Sequence, residues 1–125
     1  MREILFKAKR ADNGEWVTGY YIKSIVDGSV FGYIRESIFG TDIKIMLNTI
    51  CQYTGLKDKN DKLIWENDVV YMRCNGLSGY GNVIYENGCF WIDDKKRGRK
   101  YPFSNHDVKY RVDGNIFDNP ELMNE

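Results

Sequence analysis

The chain has one histidine, two prolines and three cysteines in 125 residues. His106, between Asn105 and Asp107, has no nucleophile at a telling spacing, so it reads as a surface residue near a turn rather than a general base. Cys51, Cys74 and Cys89 are odd in number and form no C-x-x-C pair. A closed zinc site would have to borrow carboxylates, and small, half-buried thiols in a reducing cytoplasm fit better. Gly76, Gly79 and Gly81 lack the Lys-Ser/Thr and the strand–helix context of a phosphate-binding loop. No apolar run approaches a membrane helix, and MREILFKAKR has no signal-peptide core, so the expectation is a soluble, cytoplasmic protein without a cofactor. Charge of one sign is also missing. Eighteen basic residues balance eighteen acidic ones, which argues against a dedicated nonspecific nucleic-acid binder and removes a barrier to self-association.

What is present favours strands. Hydrophobic residues make up 42% of the chain and aromatics 14%, and a chain of this size buries roughly two thirds of its unfolded surface without staples. Glu3–Ala8 alternates imperfectly, Asp12-Asn13-Gly14 signals a tight turn, and Glu15–Lys23 is a second apolar strand, together a hairpin. Asp27-Gly28-Ser29 leads into Val30–Ile34. A loop is expected over Arg35–Asp42, then a short strand at Ile43–Leu47. Thr54-Gly55-Leu56 and Lys59-Asn60-Asp61 bracket a short arm anchored by Leu63, Ile64 and Trp65. Glu66-Asn67-Asp68 turns into a strand at Val69–Arg73. Asn75–Gly81, with three glycines, reads as a loop. Asn82–Glu86, the turn Asn87-Gly88 and Cys89–Ile92 form a hairpin, Asp93–Lys100 a charged loop, Tyr101–Phe103 an edge segment because of Pro102, and Val108–Val112 the last strand. Pro120–Met123 is placed for one helical turn.

Close-spaced short strands separated by Gly/Asn turns predict a mainly β protein with little helix. The expected architecture is an N-terminal β-meander module over residues 1–50, packed on a C-terminal small SH3-like barrel module with a tail over residues 51–125.

Three segments carry a resemblance: MREILFKAKR at the start, QYTGLKDKNDKLIWENDVV from Gln52 to Val70, and GNIFDNPELM from Gly114 to Met123. In order and spacing they resemble the YopX family of phage and prophage proteins over essentially the whole chain. The family typically has Asn-Gly where this chain has Asn60-Asp61, and often Tyr-Glu-Gly-Asp where it has Trp65-Glu66-Asn67-Asp68. Asn and Asp visit positive φ more readily than most residues, so both turns survive the change. The resemblance implies a phage or prophage origin and a bacterial cytoplasm, and it implies no reaction.

Three groups of residues merit a chemical reading. Asp58, Asp61, Glu66 and Asp68 are paired carboxylates of the kind that serve acid–base chemistry or a divalent metal, but they sit in turns that such residues build anyway. Lys95, Lys96, Arg97, Arg99 and Lys100, between Trp91 and Tyr101, have the basic-and-aromatic make-up of a nucleic-acid contact. The alternative is a solvated hairpin loop diluted by Asp93 and Asp94. Trp16, Tyr20, Tyr21, Phe31 and Tyr33 form a candidate interface, since Tyr20 and Tyr21 must point to opposite faces of one strand. The function expected is non-enzymatic, through self-assembly or contact with a host or phage protein, with nucleic-acid binding by residues 95–100 as the alternative.

Overall fold

The protein is described by a computed structural model over residues 4–124. Glu3, assigned above to the first strand, lies outside the described residues. The chain forms two compact units, Met1–Tyr53 and Thr54–Glu125. Among the described residues helix is confined to two 3-10 segments, Leu47–Thr49 and Pro120–Asn124, and no helix is long and apolar enough to cross a membrane.

In the first unit β1 (Phe6–Lys9), β2 (Trp16–Val26), β3 (Ser29–Arg35), β4 (Ile43–Lys44) and the start of β5 (Cys51–Lys57) pair antiparallel in the order β4-β3-β2-β1-β5. The β2–β3 turn places Asp27 and Gly28 at φ 50° and 79°, the left-handed pair that a two-residue hairpin requires. Period-two alternation puts Val17 and Tyr21 on one face with Phe6 and Ile50, where they pack on a small core of Ala8, Ile34 and Ile45. The strand expected over Ile43–Leu47 stops at Lys44. Thr49 is the reason: its hydroxyl donates to the Met46 carbonyl at 2.6 Å and accepts from the Lys9 amide at 2.9 Å, folding the chain into a 3-10 turn.

In the second unit β5 continues to Lys57, so Thr54-Gly55-Leu56, expected to bracket a short arm, is part of that strand, and β6 (Leu63–Trp65) follows. Then β7 (Asp68–Cys74), β8 (Leu77–Glu86), β9 (Cys89–Asp94), β10 (Arg99–Pro102) and β11 (Val108–Asn115) make an antiparallel sheet in the order β10-β9-β8-β7-β11. Its core is built on Ile64, Val70, Met72, Val83, Ile92 and Val112.

This sheet does not close into the expected SH3-like barrel. Closure needs the first and last strands to pair, whereas β10 and β11 are its two free ends, and β10 ends on Pro102, which has no amide hydrogen to give. Asn75–Gly81 is likewise not a loop. Asn75 and Gly76, at φ 50° and 84°, complete the turn alone, and β8 starts at Leu77. Gly81 sits inside β8 because a Cβ there would lie 2.7 Å from Ile92 Cγ2 and 3.0 Å from the Asp93 carbonyl oxygen. That glycine marks a close strand approach rather than flexibility. The charged loop 93–100 shrinks in the same way: Asp93 and Asp94 end β9, Arg99 and Lys100 begin β10, and only residues 95–98 turn.

Candidate functional site

The five strand aromatics of the first unit separate by face. Tyr21 points to the core, its ring 5.5 Å from that of Phe6, while Tyr20 on the other face is 52% exposed. Trp16 is half-buried beneath the Lys7 and Lys9 ammonium groups, 4.7 and 5.5 Å from its ring centre. Phe31 is covered in the same way by Lys44 at 5.1 Å, and Tyr33 is half-buried. The larger apolar exposure lies on residues the sequence did not single out. Ile25, Val26 and Val30, at the tip of the β2–β3 hairpin, are 65%, 54% and 43% exposed, and Phe39 in the following loop is 93% exposed.

This tip belongs to a two-stranded arm. Pairing of β2 with β1 stops at Gly19, whereas pairing with β3 runs from Tyr20 to Val26. Beyond Gly19 one edge of β2 therefore has no partner strand among the described residues.

The basic turn of the second unit is less available than its composition implies. Arg97 Nη1 donates to the buried Asp94 carboxylate at 2.9 Å and Nη2 to the Ser78 carbonyl at 2.9 Å. Lys100 Nζ lies 2.9 Å from the Glu86 carboxylate, which raises the lysine pKa through that hydrogen bond. Arg97 and Lys100 are thus committed to the fold, although all five cations are exposed.

Two carboxylates of the 58–68 segment, Asp58 and Asp68, accept from backbone amides. Asp58 Oδ1 accepts from the amides of Asn60 at 2.8 Å and Lys62 at 2.9 Å, closing the turn that carries Lys59. Its Oδ2 accepts from the Val112 amide at 2.9 Å, tying that turn to β11. Burial works against the Asp58 charge, but three amide donors and the nearby Lys62 ammonium outweigh it and hold the carboxyl below the usual range. Asp68, also buried, accepts from the Trp65 amide at 2.8 Å. Asp61 supplies a left-handed φ of 62°.

The same turn helps form a feature the sequence did not reveal. Register sets Arg73 of β7 directly opposite Lys109 of β11, and Tyr71 opposite Arg111. Directly paired residues share a face. Three adjoining open cavities of ≈ 350, ≈ 260 and ≈ 130 Å³ follow this edge, and Lys59 and Lys109 line all three. Arg73 lines two, with Tyr71 and Arg111 at one end and Asp107 at the other. Arg111 is held by a two-pronged ion pair to Asp113, 2.7 and 2.9 Å, with its guanidinium 5.1 Å over the Tyr71 ring. That pairing pushes the arginine further up and Asp113 down. Lys59, Arg73 and Lys109 come from segments far apart in sequence, so only the sheet register could have disclosed them.

Of the thiols, Cys51 and Cys74 are buried and Cys89 is exposed rather than half-buried; none of the three is in a disulfide. His106 is exposed. No group of three or more His, Cys, Asp or Glu residues capable of holding a metal occurs among the described residues.

The family model described as "YopX protein" matches residues 5–124. No curated protein matches the chain. Among solved structures, the crystal structure of protein EF1440 from Enterococcus faecalis is similar at a TM-score of 0.60 and 21% identity, covering 98% of this chain and 99% of that one. At that identity the likeness concerns the fold.

Proposed function

The chain belongs to the YopX family, and on that premise we propose a non-enzymatic accessory protein of phage or prophage origin that acts in the host cytoplasm by self-assembly. The observation that carries this reading is the β2–β3 arm. An isolated two-stranded ribbon is marginal in water, and this one combines exposed Ile25, Val26 and Val30 with a β2 edge that has no partner strand among the described residues. An unpaired edge is a template for another strand. The same edge on a second copy is complementary to it in antiparallel sense, which gives a two-fold, self-limiting interface. Zero formal charge sets no net repulsion against such contact.

Multi-angle light scattering across a concentration series tests this. Wild type is expected as a defined oligomer, and the double substitution Ile25→Asp with Val30→Asp as a monomer whose dissociation constant is at least about tenfold higher, since each side chain would otherwise bury about 1.5 kcal/mol or more of apolar surface. Both positions are solvent-exposed in the single chain, so the variant keeps its fold. A wild type that stays monomeric at millimolar concentration rejects the reading.

A further inference from the structure

We propose that the open cleft along β7 and β11 binds the phosphodiester backbone of a single nucleic-acid strand through Lys59, Arg73 and Lys109. This goes beyond self-assembly and rests on different residues in the other unit.

The first argument is an uncompensated cost. Like charges directly opposite on antiparallel strands repel, yet Arg73 faces Lys109, and Lys59 lines the same cavities. Five other cations are paired with carboxylates: Arg10 with Asp12, Arg35 with Asp42, Arg97 with Asp94, Lys100 with Glu86 and Arg111 with Asp113. Among the described residues Lys59, Arg73 and Lys109 form no ion pair. Two carboxylates also line the cleft and offset part of the charge, but neither forms an ion pair with the three cations. Asp107 stands at one end, and the oxygens of Asp58 are occupied by the amides of Asn60, Lys62 and Val112.

The second argument is shape. A site for one small anion is enclosed, whereas this cleft is open along its length and follows several residues of β11. Arg73 sits across from Lys109 on the neighbouring strand and Lys59 lines the same cavities, while Arg111, two residues further along that face, is paired with Asp113. Three cations grouped along an open cleft suit the phosphates of an extended chain rather than one enclosed anion. Tyr71 and Tyr110 also line the cleft. The Tyr71 ring already carries the Arg111 guanidinium and meets Tyr80 edge-on, and Tyr110 packs on the core and edge-on to Phe103. The contact is therefore to the phosphodiester chain rather than to bases. An extended single strand meets both the charge and the shape. The formal neutrality of the whole chain is no obstacle, because the site is local.

The experiment is fluorescence anisotropy of the full chain with a labelled single-stranded oligothymidylate, at low salt and at about 200 mM salt. The expected result is binding that weakens steeply with salt. Lys59→Ala, Arg73→Ala and Lys109→Ala should each lower affinity about three- to tenfold and reduce the slope of log affinity against log salt by roughly one. Lys109→Arg should bind as wild type does. Substituting Lys95, Lys96 and Arg99 together should leave binding unchanged. Because Lys109→Ala relieves the repulsion from Arg73, its melting temperature should hold or rise, which separates lost binding from unfolding. Absence of oligonucleotide binding at low salt overturns the proposal. So does a triple Lys59/Arg73/Lys109 variant that binds normally, or complete displacement by inorganic phosphate at the oligonucleotide's own nucleotide concentration.

Discussion

Replacing Asp58 with alanine is expected to destabilise the second unit by about 3 kcal/mol, read as a shift in the urea midpoint at constant slope. The change strands three backbone amides that the carboxylate now satisfies, those of Asn60, Lys62 and Val112. The Val112 bond is buried, so water cannot replace it freely. Asp58→Asn is a sharper test. It preserves the volume but sets an amide NH2 against one of the three donors and removes the charge, for a loss of about 2 kcal/mol. The pH dependence has a definite sign. The folded-state pKa of Asp58 is lowered, so its contribution is fully present above the unfolded carboxylate value near ~4 and is lost as pH falls through the lower folded value. The stability gap between wild type and Asp58→Asn should therefore stay constant from neutral pH to about pH 5 and shrink on further acidification. A gap independent of pH down to full protonation would show that Asp58 acts through shape alone.

Truncating Ile64 to alanine should cost about 3–4 kcal/mol, and Ile64→Val about 1 kcal/mol. Ile64 is fully buried and packs in the cluster with Val70, Met72 and Ile92. It sits on the three-residue strand β6, where little surrounding structure can collapse into the space left. The graded pair identifies the mechanism: a cavity cost scales with the volume removed. Equal losses for valine and alanine would point instead to disturbance of β6 itself, whose Ile64 carbonyl accepts the Thr54 hydroxyl at 2.8 Å.

Much of this architecture could be read from local chemistry, and the limits follow from distance along the chain. Asp27-Gly28 and Asn87-Gly88 announced their turns because few residues other than Asn, Asp and Gly tolerate positive φ. The opposite facing of Tyr20 and Tyr21 followed from strand geometry alone. Asp58 was legible as far as Lys62, within its own turn; its bond to Val112 was not, since nothing near Asp58 records where β11 lies. The glycines of β8 misled because a turn and a tight strand approach both call for a missing side chain, and only Ile92 opposite Gly81 tells them apart. Composition likewise over-weighted the 95–100 turn. Cations adjacent in sequence look like a patch, but Asp94 and Glu86 had already taken Arg97 and Lys100. The cleft cations with no ion pair among the described residues were dispersed over three segments, and drew no attention until register set Arg73 beside Lys109 with Lys59 in the same cavities.

The strand order of the second unit bears on how the chain is made. Strands β7, β8 and β9 each pair with their immediate successor, so each hairpin can form within microseconds once its residues are free. Strand β11 instead returns to the far side of β7, a contact of high sequence separation that must await closure of the whole meander. On the ribosome this sets a window. Until residues 108–115 emerge, β7 carries one bare edge beside Val70 and Met72, and the Asp58 carboxylate lacks its β11 donor. A nascent chain stalled in that interval presents an apolar strand edge to its neighbours, and docking of β11 ends the exposure.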